Sequence, residues 1–193
     1  MRIEAVLSTH VHADHRSGAR ELATRTGATL YHHRSAELAY PFTPLDDGAE
    51  VSLGNVAARV LHTPGHTPES VSFLVSDRTR GDEPWMILTG DTLFVGDVGR
   101  PDFGGAEAAR QLHASLTRLL TLPDYVEVYP AHILGSPCGR AMSGKPSSTI
   151  GFERRHNAAL KYADQDAFVA ALFEGLPPKP PGFLEMIAAN RSG

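Results

Sequence analysis

The stretch "STHVHADH", positions 8–15, places His10, His12, Asp14 and His15 within six positions of one another. In extended backbone alternate side chains point the same way, so His10, His12 and Asp14 converge on one side, and His15 joins from the turn that follows. Imidazole nitrogen and carboxylate oxygen in this spacing suit Zn, Fe or Mn, and no thiolate is close in sequence. Further ligands are then expected at the ends of other strands. His66 in "HTPGHTPES" follows a tight turn at Pro64 and Gly65. Asp91 in "LTGDTLF" and His132 in "VYPAH" each follow an apolar run. The remaining histidines carry weaker signals. His62 is expected to pack or to hydrogen-bond into the site, at most one of His32 and His33 to point inward, and His113 and His156 to be solvated.

Short elements must hold these side chains. Residues 3–8 and 28–32 read as strands, with a helix over 17–27 between them that Gly27 stops. A turn at 46–48 precedes a hairpin folded at Gly54 and Asn55. Residues 71–76, 85–89 and 126–129 are further strands. The clearest helix covers 106–120, with Ala109, Leu112, Leu116, Leu119 and Leu120 along one face. Residues 133–148, rich in Gly, Ser and Pro, read as a loop. Asp164 caps a helix running to about residue 174, stopped by Gly175 and the pair Pro177 and Pro178. The order is mixed, which fits helices layered on sheet better than a regular alternation of strand and helix.

Composition narrows the options. The 193 residues fit one domain, 41% hydrophobic and 21% charged. A net charge of −4 without a basic block argues against nucleic acid as a partner. No apolar run approaches the roughly 18 residues of a membrane span, and no signal peptide precedes the first motif. Cys138 is the single cysteine, so no internal disulfide forms, as suits a reducing cytoplasm. A cytoplasmic location is therefore expected.

H-x-H-x-D-H, then P-G-H-T, then G-D, then a late histidine after "YPA" resembles the metallo-β-lactamase superfamily over residues 3–157. The resemblance implies an αββα sandwich forming one domain over 1–193, with a C-terminal helical extension over 158–193. It implies His10, His12 and His66 at a first metal position, Asp14, His15 and His132 at a second, and Asp91 between them. The segments "GDTLFVGDVGRPDF" and "AHILGSPCGRAMSGKPSSTIGFERRHN" are more closely similar to the persulfide dioxygenases, the branch of the ethylmalonic encephalopathy protein often fused to rhodanese domains. That branch implies one Fe(II) held by His10, His66 and Asp91, a facial triad with open positions for substrate and O₂. The expected reaction oxidises a thiol persulfide, such as glutathione persulfide, to sulfite and thiol. His12, Asp14, His15 and His132 would then surround the iron as hydrogen-bond partners or form a vacant second site. The alternative is a binuclear zinc thioester hydrolase of the glyoxalase II type.

Asp14 and Cys138 are the expected catalytic residues, Cys138 as a thiol that meets a persulfide or carries sulfur. Arg100 is expected to bind a substrate carboxylate. By resemblance, strands that usually precede H-x-H-x-D-H are lacking, which would leave a sheet edge open. A truncated chain, a homo-oligomer covering the gap, or a compact domain without those strands are the three expectations. Sulfur transfer would involve a separate rhodanese-type sulfurtransferase or the small thiol itself.

Overall fold

The computed structural model describes residues 2–176, 178–179 and 181–193. Pro177, expected with Pro178 to stop a helix, lies outside the described residues. The first sheet is parallel and three-stranded, formed by β1 (Ala5–Leu7), β2 (Thr29–His33) and β3 (Thr43–Leu45) in that order. Helix α1 (Ala19–Thr26) connects β1 to β2 and packs on both, and Gly27 ends it in the left-handed conformation.

The second sheet has six strands in chain order: β4 (Glu50–Leu53), β5 (Val56–His62), β6 (Val71–Asp77), β7 (Met86–Gly90), β8 (Glu127–Pro130) and β9 (Ser148–Thr149). The β4–β5 hairpin pairs Leu53 with Val56 across Gly54 and Asn55, as the sequence predicts, and Gly54 sits at φ +65°. Strands β7 and β8 run parallel, joined by the crossover helix α2 (Gly105–Leu119). Its face Ala109, Leu112, Leu116 and Leu119 is buried, and Leu120 packs beside it. Helices α3 (Ile150–His156), α4 (Gln165–Phe173) and α5 (Phe183–Ser192) follow.

Two cores define the layers. Val51, Val60, Phe73 and Val75 of the second sheet meet Leu45, Leu7 and Tyr31 of the first. On the other face, Leu61, Ile87 and Val128 pack against Leu112 and Leu116 of α2, Ile150 of α3 and Phe168 of α4. The result is the αββα sandwich expected.

Four local readings need correction. The loop over 133–148 gives up its last residue to β9, which pairs with β8 and runs directly into α3, where the Thr149 side chain accepts from the Phe152 amide. Strand β3 was not foreseen, because Pro44 argues against a strand, yet β3 is an edge strand where a missing N–H is tolerated. His32 and His33 are both buried, since β2 is the central strand of its sheet and is covered on both faces. His113 packs edge-on against Phe168 instead of standing in solvent.

Candidate metal centre

All the expected ligands gather at one edge of the sandwich, at the seam between the two sheets. Three contacts fix the chain leaving β1: Ser8 N–H donates to the Tyr31 carbonyl, Val71 N–H to the Thr9 carbonyl, and Val11 N–H to the Glu69 carboxylate at 3.0 Å. Val11 and Ala13 are buried on one side, which turns His10, His12 and Asp14 to the other. The rings of His10 and His12 lie 4.4 Å apart and those of His10 and His66 5.1 Å apart.

His66 is placed by the turn at Pro64 and Gly65. Gly65 has φ +144°, and a Cβ there would stand 2.5 Å from the Leu112 Cα, so only glycine lets the turn lie against α2. His66 Nδ1 donates to the Arg100 carbonyl at 2.9 Å, which leaves the Nε2 lone pair free. His62 stacks on His33 with ring centres 3.9 Å apart, and its Nε2 donates to the Pro68 carbonyl, so it braces this turn from outside the metal cluster.

Asp91 follows β7 directly. Gly99 lies so close behind it that a Cβ would fall 1.8 Å from the Asp91 carbonyl oxygen. Asp91 Oδ2 faces three imidazoles: His10 Nε2 at 3.7 Å, His66 Nε2 at 3.4 Å and His132 Nε2 at 3.4 Å. His132, just past β8, also reaches Asp14 Oδ2 at 3.4 Å, while Asp14 Oδ1 accepts from His15 Nδ1 at 2.9 Å. His15 is half exposed, the most open of the expected set.

The protonation states of His10, His12 and Asp91 suit ligation. Burial keeps His10 well below the ordinary histidine value and lowers His12 to about 4. Burial works against the Asp91 carboxylate, but His10, His132 and His66 around it outweigh this and hold the carboxyl below the usual range. Burial also works against a charged His132, but the Asp91 and Asp14 carboxylates overcome it and raise that imidazole. Neutral imidazole and ionised carboxylate are the forms that bind metal.

Buried polar atoms normally have partners. Here His66 Nε2, His132 Nε2, His12 Nδ1 and both Asp91 carboxylate oxygens are buried with none. Three groups of ligand atoms lie within 4.8 Å of one another: His10, His66 and Asp91; His12, Asp14 and His132; and Asp91, His132 and Cys138. Orphaned donors of nitrogen and oxygen type, converging and buried, fit a metal ion.

Arg100 and Cys138 take positions the sequence did not foresee. Arg100 is only 2% exposed and is spent inside the protein. Its guanidinium donates twice to Asp102, at 2.8 and 2.9 Å, and to the Pro137 carbonyl at 3.1 Å. It therefore binds the two long motif segments to each other instead of offering its charge to a substrate carboxylate. Cys138 is buried against Phe94 and Met142. Burial and the nearby Asp91 and Asp14 carboxylates push its thiol up, so the free side chain is not a thiolate nucleophile at neutral pH.

Sequence reasoning missed several supporting residues. Glu69 stood within the quoted "HTPES" but gave no sign of holding Val11. Asp97 accepts the Arg140 and Ala141 amides, and Asn157 donates to the Phe94 and Asp97 carbonyls. Asn190 on α5 donates to the His12 and His15 carbonyls. These are long-range contacts of single polar residues, for which no local spacing exists.

Known proteins agree with this geometry. The description "Metallo-beta-lactamase superfamily" matches residues 1–132. A probable metallo-hydrolase of Burkholderia pseudomallei is 34% identical, over 88% of this chain and 64% of its own length. A metallo-beta-lactamase structure from Staphylococcus aureus has a TM-score of 0.93 at 33% identity, covering 100% of this chain and 59% of that one. ETHE1 from Myxococcus xanthus has a TM-score of 0.82 at 34% identity, covering 100% of this chain and 78% of that one. This chain thus spans less than two thirds of the Burkholderia and Staphylococcus proteins. Among the described residues no helix is long and apolar enough to cross a membrane. With its ligands in order along the sequence and together at the sheet seam, the chain belongs to the metallo-beta-lactamase superfamily.

Proposed function

We propose that the chain is a persulfide dioxygenase whose single iron is held by His10, His66 and Asp91. The observation that carries this reading is the difference between the ligand groups. His10, His66 and Asp91 are 2%, 1% and 1% exposed, and His66 Nε2 and both Asp91 oxygens lack a hydrogen-bond partner, whereas His12, Asp14 and His132 are more open and Asp14 is engaged by His15. Two imidazoles and one carboxylate form the facial set used by non-heme iron oxygenases. The likeness to ETHE1 along the whole chain supports the same branch.

An Fe(II) held by these three residues would supply Lewis-acid and redox chemistry for a soft persulfide sulfur and O₂. The chain's own residues fix that arrangement. The Arg100 carbonyl orients His66, Thr9 Oγ1 lies 3.0 Å from His10 Nδ1, and Glu69 anchors the backbone between His10 and His12. The overall reaction takes one persulfide, one O₂ and one water to thiol, sulfite and two protons, the outer sulfur giving four electrons to O₂. His132 and Asp14, beside the triad and partly open to solvent, are placed to take up protons released there.

A second reading is a binuclear zinc thioester hydrolase, favoured by the group His12, Asp14 and His132 and by the probable metallo-hydrolase among the relatives. Anaerobic purification with metal analysis, then O₂ uptake with glutathione persulfide, separates the two. One iron per chain with stoichiometric sulfite is the expected result. Two zinc ions, no O₂ uptake and thioester cleavage would establish the hydrolase instead.

A further inference from the structure

A cavity of about 570 Å³ opens between α1, the loop joining β2 to β3 and the end of α5. Arg16, Ser17 and Arg20 line one side, Tyr40 a second, and Ala189 and Asn190 a third. None of these is a candidate metal ligand. The volume falls within the range of small-molecule sites, roughly 300–1,000 Å³.

Its two arginines differ from most others in the chain. Arg34 is committed to Asp46, Arg78 to Glu50, Arg110 to Asp166 and Arg118 to Asp47. Arg16 and Arg20 form no ion pair among the described residues, and Glu21, the acidic side chain of the lining, is taken by Arg25. Two positive charges thus face one concavity without a counter-charge.

The walls are tied to one another. The Arg20 guanidinium lies over the Tyr40 ring, 5.2 Å from its centre, and against Gly193, too close to admit a Cβ there. Stacked in this way, it keeps the N–H groups of its edge for a ligand. Tyr40 Oη donates to the Asn190 carbonyl at 3.2 Å, and Asn190 Oδ1 accepts from the Ser17 amide at 2.9 Å. Fixed walls reduce the ordering cost of binding.

We propose that this cavity binds a small organic phosphate, its phosphate held by Arg16 and Arg20 and its organic part against Tyr40 and Ala189. A phosphate monoester carries close to two negative charges at neutral pH, which matches two guanidinium groups where a single carboxylate does not. The cavity exceeds what a bare phosphate fills, and the Tyr40 ring and the Ala189 methyl offer contact to a carbon skeleton. The site goes beyond both readings of the function and stands whichever of them holds.

The test is titration calorimetry of the full chain with adenosine 5′-monophosphate, inorganic phosphate and adenosine. One nucleotide per chain is expected, with inorganic phosphate weaker and adenosine giving no measurable heat. Arg16→Gln and Arg20→Gln should each weaken the nucleotide by about tenfold or more, as charge-assisted hydrogen bonds are lost. Arg59→Gln, which removes another exposed arginine that has no ion pair and lies outside the cavity, should change nothing. Chelating any bound metal should leave the affinity as it was. Should Arg20→Gln not fold, Arg16→Gln decides, since Arg16 is exposed. No binding of the nucleotide, equal affinity for inorganic phosphate, unchanged affinity in folded Arg16→Gln, or loss of binding on chelation would overturn the proposal.

Discussion

The Asn190 side chain donates to the backbone carbonyl of His12 at 2.8 Å, tying the last helix to the metal-binding turn. The same amide donates to the His15 carbonyl at 2.8 Å and accepts from the Ser17 amide at 2.9 Å. Every hydrogen of its amide nitrogen is used on a segment more than 170 residues earlier. Asn190→Ala is expected to cost about 2–3 kcal/mol, as three backbone groups lose their partner. Metal affinity should fall by about tenfold, because the turn presenting His12 and Asp14 loosens. Asn190→Asp, which keeps the acceptor but loses both donors, should behave nearly as badly. Urea denaturation and competition with a chelator measure the two effects.

Gly99→Ala should abolish metal loading while sparing most of the secondary structure. The new methyl would collide with the Asp91 carbonyl, so the segment carrying that carboxylate must shift. Metal analysis beside far-ultraviolet circular dichroism checks this. Equal loading of variant and wild type would show that the backbone contact does not set the Asp91 position.

His32 should make the protein acid-sensitive without touching the metal. It is buried, its Nε2 has no partner, and burial, with His12 nearby, lowers it to about 4 from the ordinary histidine value of 6.5. As pH falls through 6.5 the unfolded chain takes up a proton that the folded chain refuses until about 4, so stability drops across that window. His32→Phe should flatten the acid limb by up to about 3 kcal/mol. Thermal melts of the metal-free protein from neutral pH down to about 4 report it.

Arg100→Lys should loosen the Cys138 loop. Lysine cannot reproduce the forked contact with Asp102 or reach the Pro137 carbonyl at the same time. Weakening this buried pair should cost up to about 3 kcal/mol. It should also expose the thiol, read as faster reaction of Cys138 with a thiol reagent in the folded state. An unchanged rate would mean that Phe94 and Met142 alone shield it.

The candidate metal ligands were legible because they obey local rules: period-two alternation for His10, His12 and Asp14, a Pro-Gly turn before His66, a strand end before Asp91. The hairpin at Gly54 and Asn55 and the apolar face of α2 were legible for the same reason. Arg100 was misread, since sequence shows its charge but not Asp102 folding back onto it. Cys138 was misread as reactive because its Gly- and Ser-rich surroundings suggest exposure, whereas Phe94 from a distant segment covers it. Asn190 was invisible: one asparagine in a helix carries no periodic signal. Local chemistry wrote the ligands, and long-range contacts supplied their scaffold.

The seam has one more consequence. His10, His12, Asp14 and His15 leave the first sheet, whereas His66, Asp91 and His132 leave the second. In the unfolded chain the first four stay contiguous and still chelate, while the others scatter. Added metal thus stabilises the native protein only by the excess of the complete site over the bare hexapeptide. Strongly chelated ions present from the start of refolding would sit on residues 10–15 before the second sheet arrives. Refolding without metal, followed by its addition, should therefore recover more loaded protein than refolding in its presence.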